Sequence, residues 1–128
     1  MTPYATLENA RTYGCLLGED AEIAEQWLRR ASRDIDTLTV NRIPARGGLE
    51  QLTAFQREIV TEVCCRLAVF ELENAELLDS AVTSYSINGV SASFGDGWGV
   101  TTKNGVVLPV NLYQHLCQTG LCVRTVMV

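Results

Sequence analysis

The sequence predicts a mainly α-helical protein that carries a β-hairpin. Three observations point there. Apolar residues recur at three- and four-residue steps along two long stretches, Asp20–Leu38 and Thr53–Asp79. An Asn-Gly pair, Asn88-Gly89, lies between two short runs that alternate serine with larger apolar residues. A helix-length segment near the end runs from Pro109 to Gly120. The expected architecture is a small helical domain spanning residues 1–128. It has two long helices, a short C-terminal helix, a β-hairpin and a last strand at the C-terminus.

The first organised element is predicted from about Asp20 to Leu38. Ile23, Ala24, Trp27, Leu28, Ala31, Ile35 and Leu38 form its apolar stripe, and Gly18 and Asp20 mark its start. Glu25 stands four residues before Arg29 on the polar face, a spacing that supports a helix by a few tenths of a kcal/mol, roughly. TVNRIPARGGLEQ follows and reads as an exposed loop, because Pro44 and Gly47-Gly48 interrupt any period. Such a loop is either a plain connector or a carrier of contacts.

Thr53 opens the second long helix. TAFQ sets Thr at the N-cap and Gln56 three residues on, so each side chain can satisfy a backbone N–H of the first turn. Phe55, Ile59, Val60, Val63, Cys64, Leu67, Phe70, Leu77 and Leu78 follow helical spacing to about Asp79. At about 1.5 Å per residue such a helix is roughly 40 Å long, more than a compact domain of this size needs. Part of it is expected to protrude or to pack on a neighbour.

In SYSINGVSASF, a two-residue type I′ turn at Asn88-Gly89 puts Ile87 opposite Val90, Tyr85 opposite Ala92 and Thr83 opposite Phe94. Ser84, Ser86, Ser91 and Ser93 then share the other face, and a one-residue slip would exchange the faces. That serine face is either a wet sheet surface or a small-residue surface on which another subunit's backbone approaches closely. GDGWGVTTKNG, with Trp98, reads as a mobile glycine-rich loop. It has no frame for a phosphate-binding or calcium-binding loop. The last helix is expected to begin with Pro109 at its first position and to end near Thr119. Gly120 then stands at C′, with Leu121 and Leu116 as a Schellman pair. LCVRTVMV is β-branched and suggests a final strand that can add to the hairpin or to another subunit's sheet.

Composition bounds the function. The chain has 128 residues, 47% hydrophobic and 20% charged, with a net charge of −5. This is enough to bury roughly two-thirds of its unfolded surface without a staple. The start, MTPYATLENARTYG, lacks the basic and apolar regions of a signal peptide, so a cytoplasmic location is expected, and no stretch is apolar enough for a membrane span. Five cysteines (Cys15, Cys64, Cys65, Cys117, Cys122) without a CxxC pair read as reduced, packed thiols, not as a disulfide framework or a zinc site. One histidine, His115, serves the whole chain, so no Ser/Cys–His–acid triad is expected and no catalytic, metal or cofactor residue is assigned. Asp34, Asp36, Glu58 and Glu62 read as solvated helix faces that could meet only in the fold. Arg29, Arg30, Arg33, Arg42 and Arg46 cluster in sequence; they form a solvated face and loop or a partner-facing patch.

Five segments carry a resemblance: YATLENARTYG, ASRDIDTLTVNRI, LTAFQREIV, SYSINGVSASF and LYQHLCQTGLCVRTV. In order and spacing they resemble the small head-tail connector proteins of tailed bacteriophages and prophages. The segments cover most of the chain, and each is a packing or capping signature, so the resemblance rests on their combination. Val107-Leu108-Pro109 departs from it, replacing the small or polar cap usual before the third helix.

The resemblance implies a non-enzymatic adaptor, mainly helical with a β-hairpin, that docks on the portal and extends its channel. It would also offer a surface to the next tail-completion protein. Such proteins assemble as a ring of about twelve subunits, closed by a head-to-tail contact, and the free subunit is allowed to be a monomer. DNA would pass through without specific binding, as expected where an acidic protein repels phosphates. The implied locations are the virion and, during assembly or from a prophage, the host bacterial cytoplasm. The expected partner interface comprises Arg42, Pro44 and Arg46 in the first loop, Ser86, Asn88, Gly89 and Ser91 in the hairpin, and Trp98. The competing readings are a small non-viral interaction or regulatory module, and a small enzyme whose carboxylates converge.

Overall fold

The computed structural model describes residues 3–15, 17–18, 20–75 and 99–122. The described part is mainly helical, with five α-helices and one small, open two-stranded antiparallel sheet. In chain order these are α1 (Leu7–Thr12), α2 (Ala21–Leu38), α3 (Arg42–Ala45), a 3₁₀ turn (Leu49–Gln51), α4 (Ala54–Glu73), β1 (Val100–Lys103), β2 (Val106–Pro109) and α5 (Val110–Cys117).

The predicted start of α2 holds closely. Asp20 is its N-cap, accepting from the N–H groups of Glu22 and Ile23. Arg29 and Glu25 pair at 3.7 Å. Thr53 and Gln56 form the capping box expected for α4, each side chain bonded to the other's backbone N–H. These two helices make the main seam of the core. Leu28, Ala31, Ser32 and Ile35 of α2 and Val60, Val63, Cys64 and Leu67 of α4 are wholly buried. Cys64 and Ser32 meet across the seam at 3.4 Å. Cys64 and Cys65 are both core residues, and all five cysteines are free.

Several expectations are corrected. A short helix, α1, precedes α2; Thr6 caps it in a capping box completed by Asn9. The expected loop after α2 contains α3 and the 3₁₀ turn, because Ile43 is drawn into the core and folds the chain around itself. α4 closes at Glu73 and does not run unbroken to Asp79. Asn74 is its C-cap, and the Asn74 side-chain amide takes the carbonyl of Phe70 at 2.8 Å, competing with the helix ladder. At 20 residues it spans about 30 Å, not 40 Å. Ile23 and Phe55, assigned to buried stripes, are 48% and 58% exposed, because each lies in the first turn of its helix, beyond the core.

The end of the glycine-rich stretch opens a hairpin not expected there from the sequence. Val100 pairs with Pro109 and Lys103 with Val106, and the two turn residues, Asn104 and Gly105, have φ of 53° and 83°. Both positive angles are what a type I′ turn demands, and Asn-Gly supplies them at the least steric cost. Pro109 ends β2 and is the N-cap of α5, one position earlier than expected, so the strand runs straight into the helix. α5 ends at Cys117, with tighter turns leading to Gly120, which is left-handed at φ 76°. Leu116 and Leu121 are both buried, although Gly120 is not at C′. The Ser84–Phe94 hairpin, with Ser86, Asn88, Gly89 and Ser91, lies outside the described residues. So do Trp98 and the strand expected after Cys122.

Candidate partner interface

Arg42, Pro44 and Arg46 fall on one corner of the fold, between α2 and α4. The corner begins where α2 stops. Thr39 is buried and turns its hydroxyl back to the carbonyl of Ile35 at 2.7 Å. The next two N–H groups close a Schellman motif, Asn41 to the carbonyl of Asp36 at 2.8 Å and Val40 to that of Thr37 at 3.3 Å. Glycine is the usual residue at the left-handed C′ position. Here it is Val40, at φ 56°, followed by Asn41 at φ 55°. A left-handed L-residue costs roughly 1–2 kcal/mol, and a β-branched one is a true outlier. Burial does not offset that cost, since the Val40 side chain is 49% exposed.

Beyond Val40 the chain is held from beneath. The Arg42 guanidinium donates from Nη1 to the carbonyl of Leu121 at 2.9 Å, and Ile43 is fully buried. The Gln56 amide donates from Nε2 to the carbonyl of Thr119 at 3.0 Å. Two polar side chains therefore fasten the corner and the start of α4 to the turn that follows α5. Pro44 and Arg46 face outward and are exposed. Gly47 and Gly48, at φ 102° and 104°, carry the chain into the 3₁₀ turn. A Cβ on Gly47 would come within 2.9 Å of Gln51 Cγ. Arg42 is thus an anchor of the corner, and Pro44 and Arg46 are what it displays.

The carboxylates that could have met in an active centre go to different partners. Glu62 takes Arg66 at 3.0 Å and stands 4.0 Å from His115 Nε2. Asp36 accepts the Tyr4 hydroxyl; burial pushes the Asp36 carboxyl up, while that hydrogen bond pulls it down. The Tyr4 phenol is held well above its ordinary range, by burial first and then by Asp36. Asp34 meets Glu71 of α4, a residue whose charge in sequence looks like any solvated position. Among the described residues, no group of three or more His, Cys, Asp or Glu could hold a metal ion. A cavity of about 350 Å³ lies between α1 and the start of α2, lined by Leu7, Ala10, Arg11, Cys15, Leu17 and Ala24 among others. Among the described residues, no helix is long and apolar enough to cross a membrane.

The chain matches no known family model, no curated protein and no solved structure.

Proposed function

We propose that this chain is a structural head-tail connector of a tailed phage or prophage, an adaptor that binds the portal and joins capsid to tail. One observation carries the reading: a rigid corner that displays a strained, half-exposed Val40 together with Pro44 and Arg46, locked to the core through Arg42 and Leu121. Strain held at a half-exposed position points to a contact made with another molecule. The resemblance of five sequence segments to this family supports the same reading.

In this reading the corner and the serine-faced hairpin at Ser84–Phe94 are the two contact elements, with Ser86, Asn88, Gly89, Ser91 and Trp98 contributing beside Arg42, Pro44 and Arg46. The strand expected after Cys122 would add to the hairpin or to a neighbour's sheet. The subunits form a ring of about twelve by a head-to-tail contact that closes on itself. DNA passes along a lumen to which an acidic protein, net charge −5, has little attraction. The next tail-completion protein binds the free end of the ring. No catalysis and no cofactor belong to this role, which is played in the virion and, during assembly, in the host cytoplasm.

Affinity capture on the portal protein encoded beside this gene tests it. Wild-type protein should be retained, and Arg46→Glu and Val40→Asp should each weaken retention at least tenfold while leaving the circular dichroism spectrum unchanged. A portal that ignores the wild-type chain would overturn the reading. Equal retention of both variants would move the contact away from the corner.

A further inference from the structure

Glu71 stands on the last turns of α4 with only 6% of its surface exposed. Among the described residues, no N–H or O–H donor reaches its Oε1. The group beside it is another carboxyl, that of Asp34 on α2, close enough across the seam to share a proton with Glu71. Two carboxylates are both acceptors, so they can bond only if one of them carries a proton. Arg30, one turn before Asp34, is the cation that could compensate a second charge. Its guanidinium instead lies 4.7 Å over the Trp27 ring. On α4 itself the charge of Glu71 acts on the Cys64 thiol, two turns earlier. Among the described residues, α1 and α5 bring no charged group to act on Glu71.

We propose that Asp34 and Glu71 form a one-proton latch between α2 and the C-terminal end of α4, closed while the proton is held and released when it is lost. The latch is independent of the connector reading. Burial, then the hydrogen bond and charge of Asp34, push the Glu71 carboxyl from 4.5 up to about 9, with Arg30 opposing. The folded protein therefore holds this proton more tightly than the unfolded chain. The stabilisation is complete below the unfolded pKa of 4.5 and is lost as pH rises through about 9. Between those limits the folding constant falls by up to about tenfold per pH unit. Above them two charges face each other in a poorly hydrated seam, and opening the end of α4 is the relief.

Denaturant unfolding of the full chain from about pH 5 to pH 10, for wild type and Glu71→Gln, reads the latch through this linkage. Glutamine keeps a donor for Asp34 and cannot ionise. The ratio of the variant's folding constant to that of wild type should climb with pH, by up to about tenfold per unit, and level off above about pH 9. At high pH the amides of Val69 to Glu73 should exchange more slowly in the variant. A ratio independent of pH would overturn the proposal. Infrared spectroscopy of wild type offers a second readout should the variant fail to fold. A carboxylic acid C=O band should be present at neutral pH, should vanish on alkalinisation, and should vanish at a lower pH in Asp34→Asn, whose amide donates to an ionised Glu71. No acid band in wild type at neutral pH would equally overturn it.

Discussion

The Arg42 guanidinium reaches across the fold to the backbone carbonyl of Leu121, 2.9 Å away, and so joins the corner after α2 to the turn after α5. The two residues are distant in sequence, and the part-buried Leu121 carbonyl loses this donor once the guanidinium is removed. Arg42→Ala should cost about 1.5–3 kcal/mol in urea unfolding, the range for a hydrogen bond from a charged group. Arg42→Lys should recover only part of it, since a point charge cannot reproduce the directed Nη1 donor.

Val40 gives the opposite expectation. Replacing it by glycine removes the left-handed penalty, against a smaller loss from the greater freedom of the unfolded chain. Val40→Gly should raise stability by about 0.5–1 kcal/mol, read as a higher denaturation midpoint with an unchanged m-value. If the exposed side chain serves a contact, the same variant should bind the portal less well. Gains in stability and losses in binding would then come from one substitution.

Val40 also illustrates why the corner was hidden in the sequence. A Schellman motif is legible when glycine or asparagine occupies C′, and a β-branched residue there reads as more of the same chain. α2 and α4 were legible because Asp20 and the Thr53–Gln56 box mark their starts and their apolar periods run through the core. α1 was not, since it has few turns and Asn9 stands where a capping box usually has Glu or Gln. The Asn104-Gly105 turn carried the same signal as Asn88-Gly89 but was masked by the glycines before it. Glu71 was illegible for a different reason. Whether a carboxyl is solvated or set against Asp34 depends on how two helices are placed against each other, which no local pattern encodes. Ile23 and Phe55 mislead in the other direction, because periodicity continues into a first turn that the core does not reach.

The β1–β2 hairpin is tested at its turn. Gly105 has φ of 83°, and a Cβ there would meet nothing within 4 Å, so any penalty is one of backbone conformation. Gly105→Ala should destabilise by about 1–2 kcal/mol, and Gly105→Val by more. Amide exchange should rise at Val106 and Leu108. Asn104→Gly should be close to neutral by comparison, at the loss of the Asn104 side-chain bond to the Thr37 carbonyl, 3.3 Å long and exposed.

The thiols give a pH prediction. Burial holds Cys64 up at about 11 and Cys65 and Cys122 up at about 12, so all three are neutral under ordinary conditions. The folded state keeps these protons more tightly than the unfolded chain. Their stabilisation is present below the ordinary thiol pKa and is lost as pH climbs through about 11 to 12. Iodoacetamide at mildly alkaline pH should label Cys117, the one half-exposed thiol, first, and label Cys64 and Cys65 only at the rate of unfolding. Rapid labelling of Cys64 or Cys65 in the native protein would contradict their place in the core.

Electron microscopy of the purified protein mixed with the portal assembled from the same genome shows whether this chain acts through shape on other copies and on a portal. An added ring of density coaxial with the portal is expected, with the Val40–Arg46 corner in a contact. A portal left bare at saturating concentrations of the chain, with the chain itself remaining a free monomer or small dimer, would contradict it.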